Sequence, residues 1–128
     1  MRKINLLLVS TVCLIAIGCH AAIKKEVQAY INEKDELILQ MGKVIEANPT
    51  QTGVDEARKI FETKKTDLKS KKMDLFKKDI PFDMVQKLLN SNVSDNNMFN
   101  SISSLLKDWP VRESFTKLQN DFTDEFHK

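Results

Sequence analysis

Residues 23–47, IKKEVQAYINEKDELILQMGKVIEA, decide the fold. Ile23, Tyr30, Leu37 and Val44 recur every seven residues, Val27 and Met41 hold a second position in the same repeat, and Lys34 falls between those two. Ile31, Ile38 and Ile45 widen the stripe by one flanking position. Three apolar places per heptad describe the core-facing side of a helix, whereas a strand would alternate with period two. Asn48-Pro49 closes the segment, because proline disfavours the helical region for the residue before it. Gly42, inside the stripe, weakens the helix or admits a close neighbour.

Working toward the C-terminus, Val54, Phe61, Leu68 and Leu75 again repeat every seven residues, flanked by Ala57, Ile60 and Phe76. Thr52-Gly53-Val54-Asp55 has the spacing of a capping box, so this second helix is expected to start near Thr52 or Gly53 and to end near Lys78, before Ile80-Pro81. A short turn between two long helices predicts an antiparallel hairpin over about 22–79. Placing Val44 opposite Val54 sets Leu37 near Phe61 and Tyr30 near Leu68, and brings Lys34 and Lys64 to one level on the apolar line. Two buried ammonium groups repel and lose hydration, so the hairpin is expected to be open to solvent there, with Asp35 and Asp67 as the nearest acids in sequence.

The last third reads as three shorter helices within about 82–127. The first, Phe82 to Asn90, would bury Phe82, Val85, Leu88 and Leu89. Ser91 to Asn97 reads as a polar loop with Ser94 or Asp95 capping the next helix, which carries Met98, Phe99, Ile102, Leu105 and Leu106. Trp109-Pro110 breaks that helix, and Pro110 suits the first turn of a final one bearing Val111, Phe115, Leu118, Phe122 and Phe126. The expected fold class is therefore all-α: one domain over 19–128, a long antiparallel hairpin with about three shorter helices packed on it.

Residues 1–18 have the three zones of an export signal. Arg2 and Lys3 start it, Ile4 to Ile17 is mostly apolar, and small residues follow at Ala16, Gly18, Ala21 and Ala22. The apolar run is shorter than the ~20 residues of a membrane-spanning helix. Ala16-Ile17-Gly18-Cys19 resembles the lipobox of bacterial lipoproteins, with Ala16 standing where that family usually has Leu. The resemblance implies cleavage before Cys19, lipid attachment to its thiol, membrane association through several acyl chains, and a place in the bacterial cell envelope. His20, rather than Asp, after the Cys fits transfer to the outer membrane in a Gram-negative cell. The alternative is an ordinary signal cleaved after Ala21 or Ala22, giving a soluble periplasmic or secreted protein.

Arg2 and Lys3 also supply the whole formal charge of +2, and without them the 18 acidic side chains are matched one for one. That balance argues against nucleic-acid binding, which calls for a cationic excess. Cys13 leaves with the signal, so at most Cys19 remains and no internal disulfide is expected. His20 and His127 lie at the processing junction and the penultimate position, and no Gly-rich phosphate loop or metal-ligand spacing appears. We therefore expect no enzyme, no cofactor and no metal; a carboxylate-based hydrolase is the residual alternative and would require two close acids in a concave site. The most uneven feature is a cationic run, Lys64, Lys65, Lys69, Lys71, Lys72, Lys77 and Lys78, against Asp67 and Asp74 only. It offers a contact surface for a protein or an acidic envelope polymer, or else is a solvated face balanced by acids from the neighbouring helices.

Overall fold

Asn48-Pro49-Thr50 is the first break in the computed structural model, which describes the backbone of residues 2–128 and the side chains of residues 21–128. The expected signal segment 1–18 and the lipid-attachment residue Cys19 lie outside the residues whose side chains are described. Four helices follow in order: α1 (Arg2–Ala47), α2 (Gln51–Phe76), α3 (Phe82–Ser103) and α4 (Trp109–Phe126). The fold is all-α, with no strand among the described residues. No described helix is long and apolar enough to cross a membrane.

The breaks follow local chemistry. Pro49 stops α1, and the Thr50 hydroxyl donates to Asn48 Oδ1 at 2.7 Å. α2 therefore starts at Gln51, and the expected capping box at Thr52 is not its first turn; Gln51 bonds Asp55 instead, at 2.9 Å. A β-carbon on Gly53 would stand 1.8 Å from the Asn48 carbonyl oxygen, so only glycine permits a turn this tight. Pro110 stands in the first turn of α4, and Arg112 donates twice to the Leu106 carbonyl, at 2.7 and 3.1 Å, pinning the α3–α4 turn.

Side-chain partners set the helix directions. Glu33 meets Lys71 and Glu26 meets Lys78, so α2 descends as α1 climbs. Lys34 meets Asp95 and Gly42 faces Ile102, so α3 runs with α1. Gln51 bonds Ser114 and Arg58 pairs with Asp121, so α4 runs with α2. α1 touches α2 and α3, α4 touches α2 and α3, and the remaining two pairs lie on diagonals. The linker 77–81 thus crosses one end of the bundle, with Ile80 tucked against the core.

The core is one cluster running from Val27 to Phe126. Phe122 is its hub, with ring centroids 6.1 Å from Phe61, 5.0 Å from Phe99 and 4.8 Å from Phe126. Edge-on and tilted aromatic pairs at such separations add about 0.5–1.5 kcal/mol each beyond burial.

Two expectations need correction. The α1–α2 register differs from the Val44–Val54 alignment: Leu37 shares a groove with Leu68, and Tyr30 shares one with Leu75. Each of these α1 residues lies beside the α2 residue one heptad beyond the expected one, and Gly53 packs against the Asn48 carbonyl in the turn between them. The second correction concerns 82–103, which is one unbroken helix; Ser91 to Asn97 is not a loop. Its buried face is Met84, Leu88, Ser91, Asp95, Phe99 and Ile102, while Phe82, Val85 and Leu89 face outward. Only two shorter helices, not three, therefore follow α2.

Candidate functional site

The inward side of α3 is polar in its middle because α1 presents a cation there. Lys34 lies on the apolar line of its helix and has no solvent exposure at all. A buried ammonium needs a counter-charge and full hydrogen bonding. Asp95, also unexposed, supplies an oxygen (Oδ2) 2.8 Å from Lys34 Nζ, and Asn92 Oδ1 accepts a bond of 2.9 Å from the same nitrogen. The Tyr30 ring lies beneath Nζ, its centroid 5.6 Å away. The level expected to be open is sealed, and the counter-charge comes from α3 rather than from Asp35 or Asp67.

Asp95 gathers further groups. His127 Nε2 stands 3.0 Å from the same Oδ2, so with Asp95 ionised that nitrogen carries the donated proton. One carboxylate oxygen thus joins α1, α3 and the end of α4. Asp35 lies close enough for its pKa to be raised, by burial first and by Asp95 second, against a smaller opposing pull from Lys34. Asp35 Oδ1 and Asp95 Oδ1 are both buried without a partner, and a proton retained on Asp35 would relieve both. Burial, and then Asp95, also raise the Tyr30 phenol well above its ordinary value.

Lys72 closes the same end of the bundle. Its Nζ donates to the carbonyl oxygens of Glu125 (2.9 Å) and Lys128, at the negative end of the α4 dipole. Burial lowers its pKa. Of the seven lysines singled out from the sequence, Lys72 is therefore turned inward. The exposed ones are largely matched: Lys65 with Glu62, Lys69 with Glu125, Lys71 with Glu33 and Asp67, Lys77 with Asp74, and Lys78 with Glu26. Lys71 is held above its usual pKa chiefly by its bond to Glu33, and Lys65 chiefly by its bond to Glu62. Lys64 faces solvent beside the groove that contains Asp67.

Beside the sealed cluster lies a cavity of about 220 Å³, with Tyr30, Asn92, His127 and Lys128 at its polar side. Its other walls are apolar and partly wet: Phe76 is 50% exposed and Leu89 52%. Phe82, at 77%, and Val93, at 61%, extend that stripe along the outer face of α3. Among the described residues no group of three His, Cys, Asp or Glu side chains could hold a metal ion.

Asp95, read from the sequence as a helix cap, lies buried inside α3; His127, read as a terminal residue without a site, pairs with it; and Asn92 had no role in the expected loop. Their signal was present: Lys34 on an apolar line demands an acid from another helix, and Ser91 with Asp95 has the i, i+4 spacing of one helical face. Compared with known protein families, curated proteins and solved structures, the chain matches none.

Proposed function

We propose that this protein is a non-enzymatic lipoprotein of the bacterial cell envelope, anchored by lipid on Cys19, with outer-membrane placement in a Gram-negative cell. The observation that carries the reading is the order Arg2-Lys3, apolar 4–17, then Ala16-Ile17-Gly18-Cys19 directly before a folded helical domain. Its frame is a long antiparallel hairpin of α1 and α2 on which α3 and α4 pack. That frame presents helix faces of paired charges to a partner protein; the lysine run expected to favour an acidic envelope polymer is largely matched by acids. The buried Lys34–Asp95–His127 cluster serves it as a lock between helices, since neither Lys34 nor Asp95 is open to a ligand.

Intact-mass measurement of the mature protein tests the anchoring. The expected mass begins at Cys19 and includes diacylglycerol and a further acyl chain. A mass without acyl groups, beginning after Ala21 or Ala22, would overturn it. One observation favours a second reading, a soluble periplasmic or secreted binder of the chaperone type: the outer stripe Phe82, Val85, Leu89 and Val93 exposes apolar side chains in succession along one helix face.

A further inference from the structure

α3 carries two opposed faces: in its first turns Met84 and Leu88 point into the core, and a second set of apolar side chains points to solvent. Phe82, Val85 and Leu89 recur at i, i+3 and i+7, and Phe76 on α2 lines one cavity with Val85 and Leu89. Phe82 is 77% exposed, Leu89 52% and Phe76 50%. Scattered exposed apolar residues call for no explanation, but contiguous ones mark a contact surface.

The place of this patch in the fold indicates what covers it. Lys78 meets Glu26, so the α2–α3 linker and the start of α3 stand at the end of the bundle where α1 enters the described domain. Glu26 is only seven positions after Cys19. Those seven steps reach about 10 Å as helix and at most ~25 Å extended. An acyl anchor on Cys19 therefore holds this end within a few residues' length of the bilayer, whereas Trp109 and the α1–α2 turn are at the far end. Charge does not drive the contact: Lys24, Lys25, Lys77 and Lys78 are balanced by Glu26, Asp74, Asp79 and Asp83.

The geometry points to a lipid surface as the occupant: Phe76, Phe82, Val85 and Leu89 seat the domain on the bilayer interface, fixing its orientation on the membrane. Helical apolar faces sink about 5–10 Å into the headgroup and acyl boundary in this way. The inference rests on the proposed anchoring at Cys19 for its geometry, and the test separates the two.

The full-length gene is expressed with Phe82→Trp and Trp109→Phe, so that the single indole stands on the patch. The unaltered chain, whose one Trp is Trp109, is the control. The exposure of Phe82 makes that exchange compatible with folding, and Leu89→Trp in the same Trp109→Phe background provides a second position. Each purified protein is weighed intact and combined with phosphatidylcholine vesicles, with and without phosphatidylglycerol, whose acyl chains carry bromine near the carbonyl. The expected result is a blue shift and loss of emission at position 82 and at position 89, equal in both vesicle types, with Trp109 unquenched. An acylated protein that floats with the vesicles while emission at both patch positions stays water-like overturns the docking and leaves the anchoring standing. A protein without acyl groups that is still quenched at these positions overturns the anchoring and leaves the docking standing. Quenching confined to phosphatidylglycerol vesicles overturns an apolar contact. A blue shift that needs no vesicles and grows with protein concentration assigns the patch to a second copy of the chain and overturns the lipid surface.

Discussion

Replacing Asp95 by Leu removes the carboxylate that faces Lys34 at 2.8 Å and leaves an ammonium with no solvent exposure bonded only to Asn92. Stranding one member of a buried ion pair costs about 3–5 kcal/mol, a large part of the ~5–15 kcal/mol that holds a domain folded. For a domain of this size, that corresponds to a fall in Tm of roughly 12–20 °C. Lys34→Met strands Asp95 instead, but His127 remains at 3.0 Å, so the expected loss is smaller, about 2–3 kcal/mol. The double variant Lys34→Met, Asp95→Leu leaves neither charge and fills the gap with apolar atoms. It should recover to within about 1 kcal/mol of the parent or exceed it, as exchanged buried pairs often do. Urea unfolding of all four proteins, followed by far-UV circular dichroism, closes the cycle. If each single change costs less than about 1 kcal/mol and the double change is their simple sum, the pair is not coupled and the argument for a polar lock fails.

Asp35→Asn tests the second acid. The folded protein holds the Asp35 proton to higher pH than the unfolded chain, through burial first and Asp95 second, so stability falls as pH rises from the ordinary value of 3.8 through the raised folded one. The Asn variant should therefore withstand more urea than the parent at neutral pH and lose that advantage below pH 3.8; an unchanged difference at both ends would refute the linkage. The two described glycines should respond oppositely to alanine. Gly53→Ala drives a β-carbon into the Asn48 carbonyl and should cost about 1–3 kcal/mol. Gly42→Ala meets only the end of the Ile102 side chain, at 3.1 Å beside an open groove, and should gain up to about 1 kcal/mol from helix propensity, both read as urea midpoints. Phe122→Ala removes the ring that touches Phe61, Phe99 and Phe126 and should cost about 3–5 kcal/mol, against less than 0.5 or so for Phe82→Ala.

The proposed functional surfaces depend on these packing facts. Five lysines of the run, Lys65, Lys69 and Lys71 on α2 with Lys77 and Lys78 just beyond it, spend their charge on acids from α1, α2 or α4, so the cationic run is a largely neutralised face. Exposed pairs of this kind add little to stability, with a median of about 0–1 kcal/mol, yet they remove the local excess that would select an acidic partner. What stands out from the remainder of the surface is apolar: Phe76, Phe82, Val85 and Leu89 lie toward the end where the chain enters from Cys19, and Leu105 and Trp109 lie toward the other.

Periodicity alone determined the helical class, the break at Asn48-Pro49 and the apolar lines of α1, α2 and α4, because burial on one side of a helix leaves a repeat near 3.6 in any sequence that uses it. The proposed export signal and lipid attachment at Cys19 rest on local composition alone, which no tertiary contact enters. Three things were decided only in three dimensions. The α1–α2 register depends on how closely Gly53 approaches Asn48. The continuity of α3 depends on Lys34, whose need for a buried partner turns Ser91 and Asp95 inward and keeps the segment helical where its own polarity suggests a loop. With Met84, Leu88, Ser91, Asp95, Phe99 and Ile102 sharing the buried side, Phe82, Val85 and Leu89 fall on the opposite, outward side of the same helix. A hydrophobic count sees only which residues are apolar; which of them face inward depends on the neighbouring helices, where Lys34 draws Asp95 to the buried side beside Phe99 and Leu88.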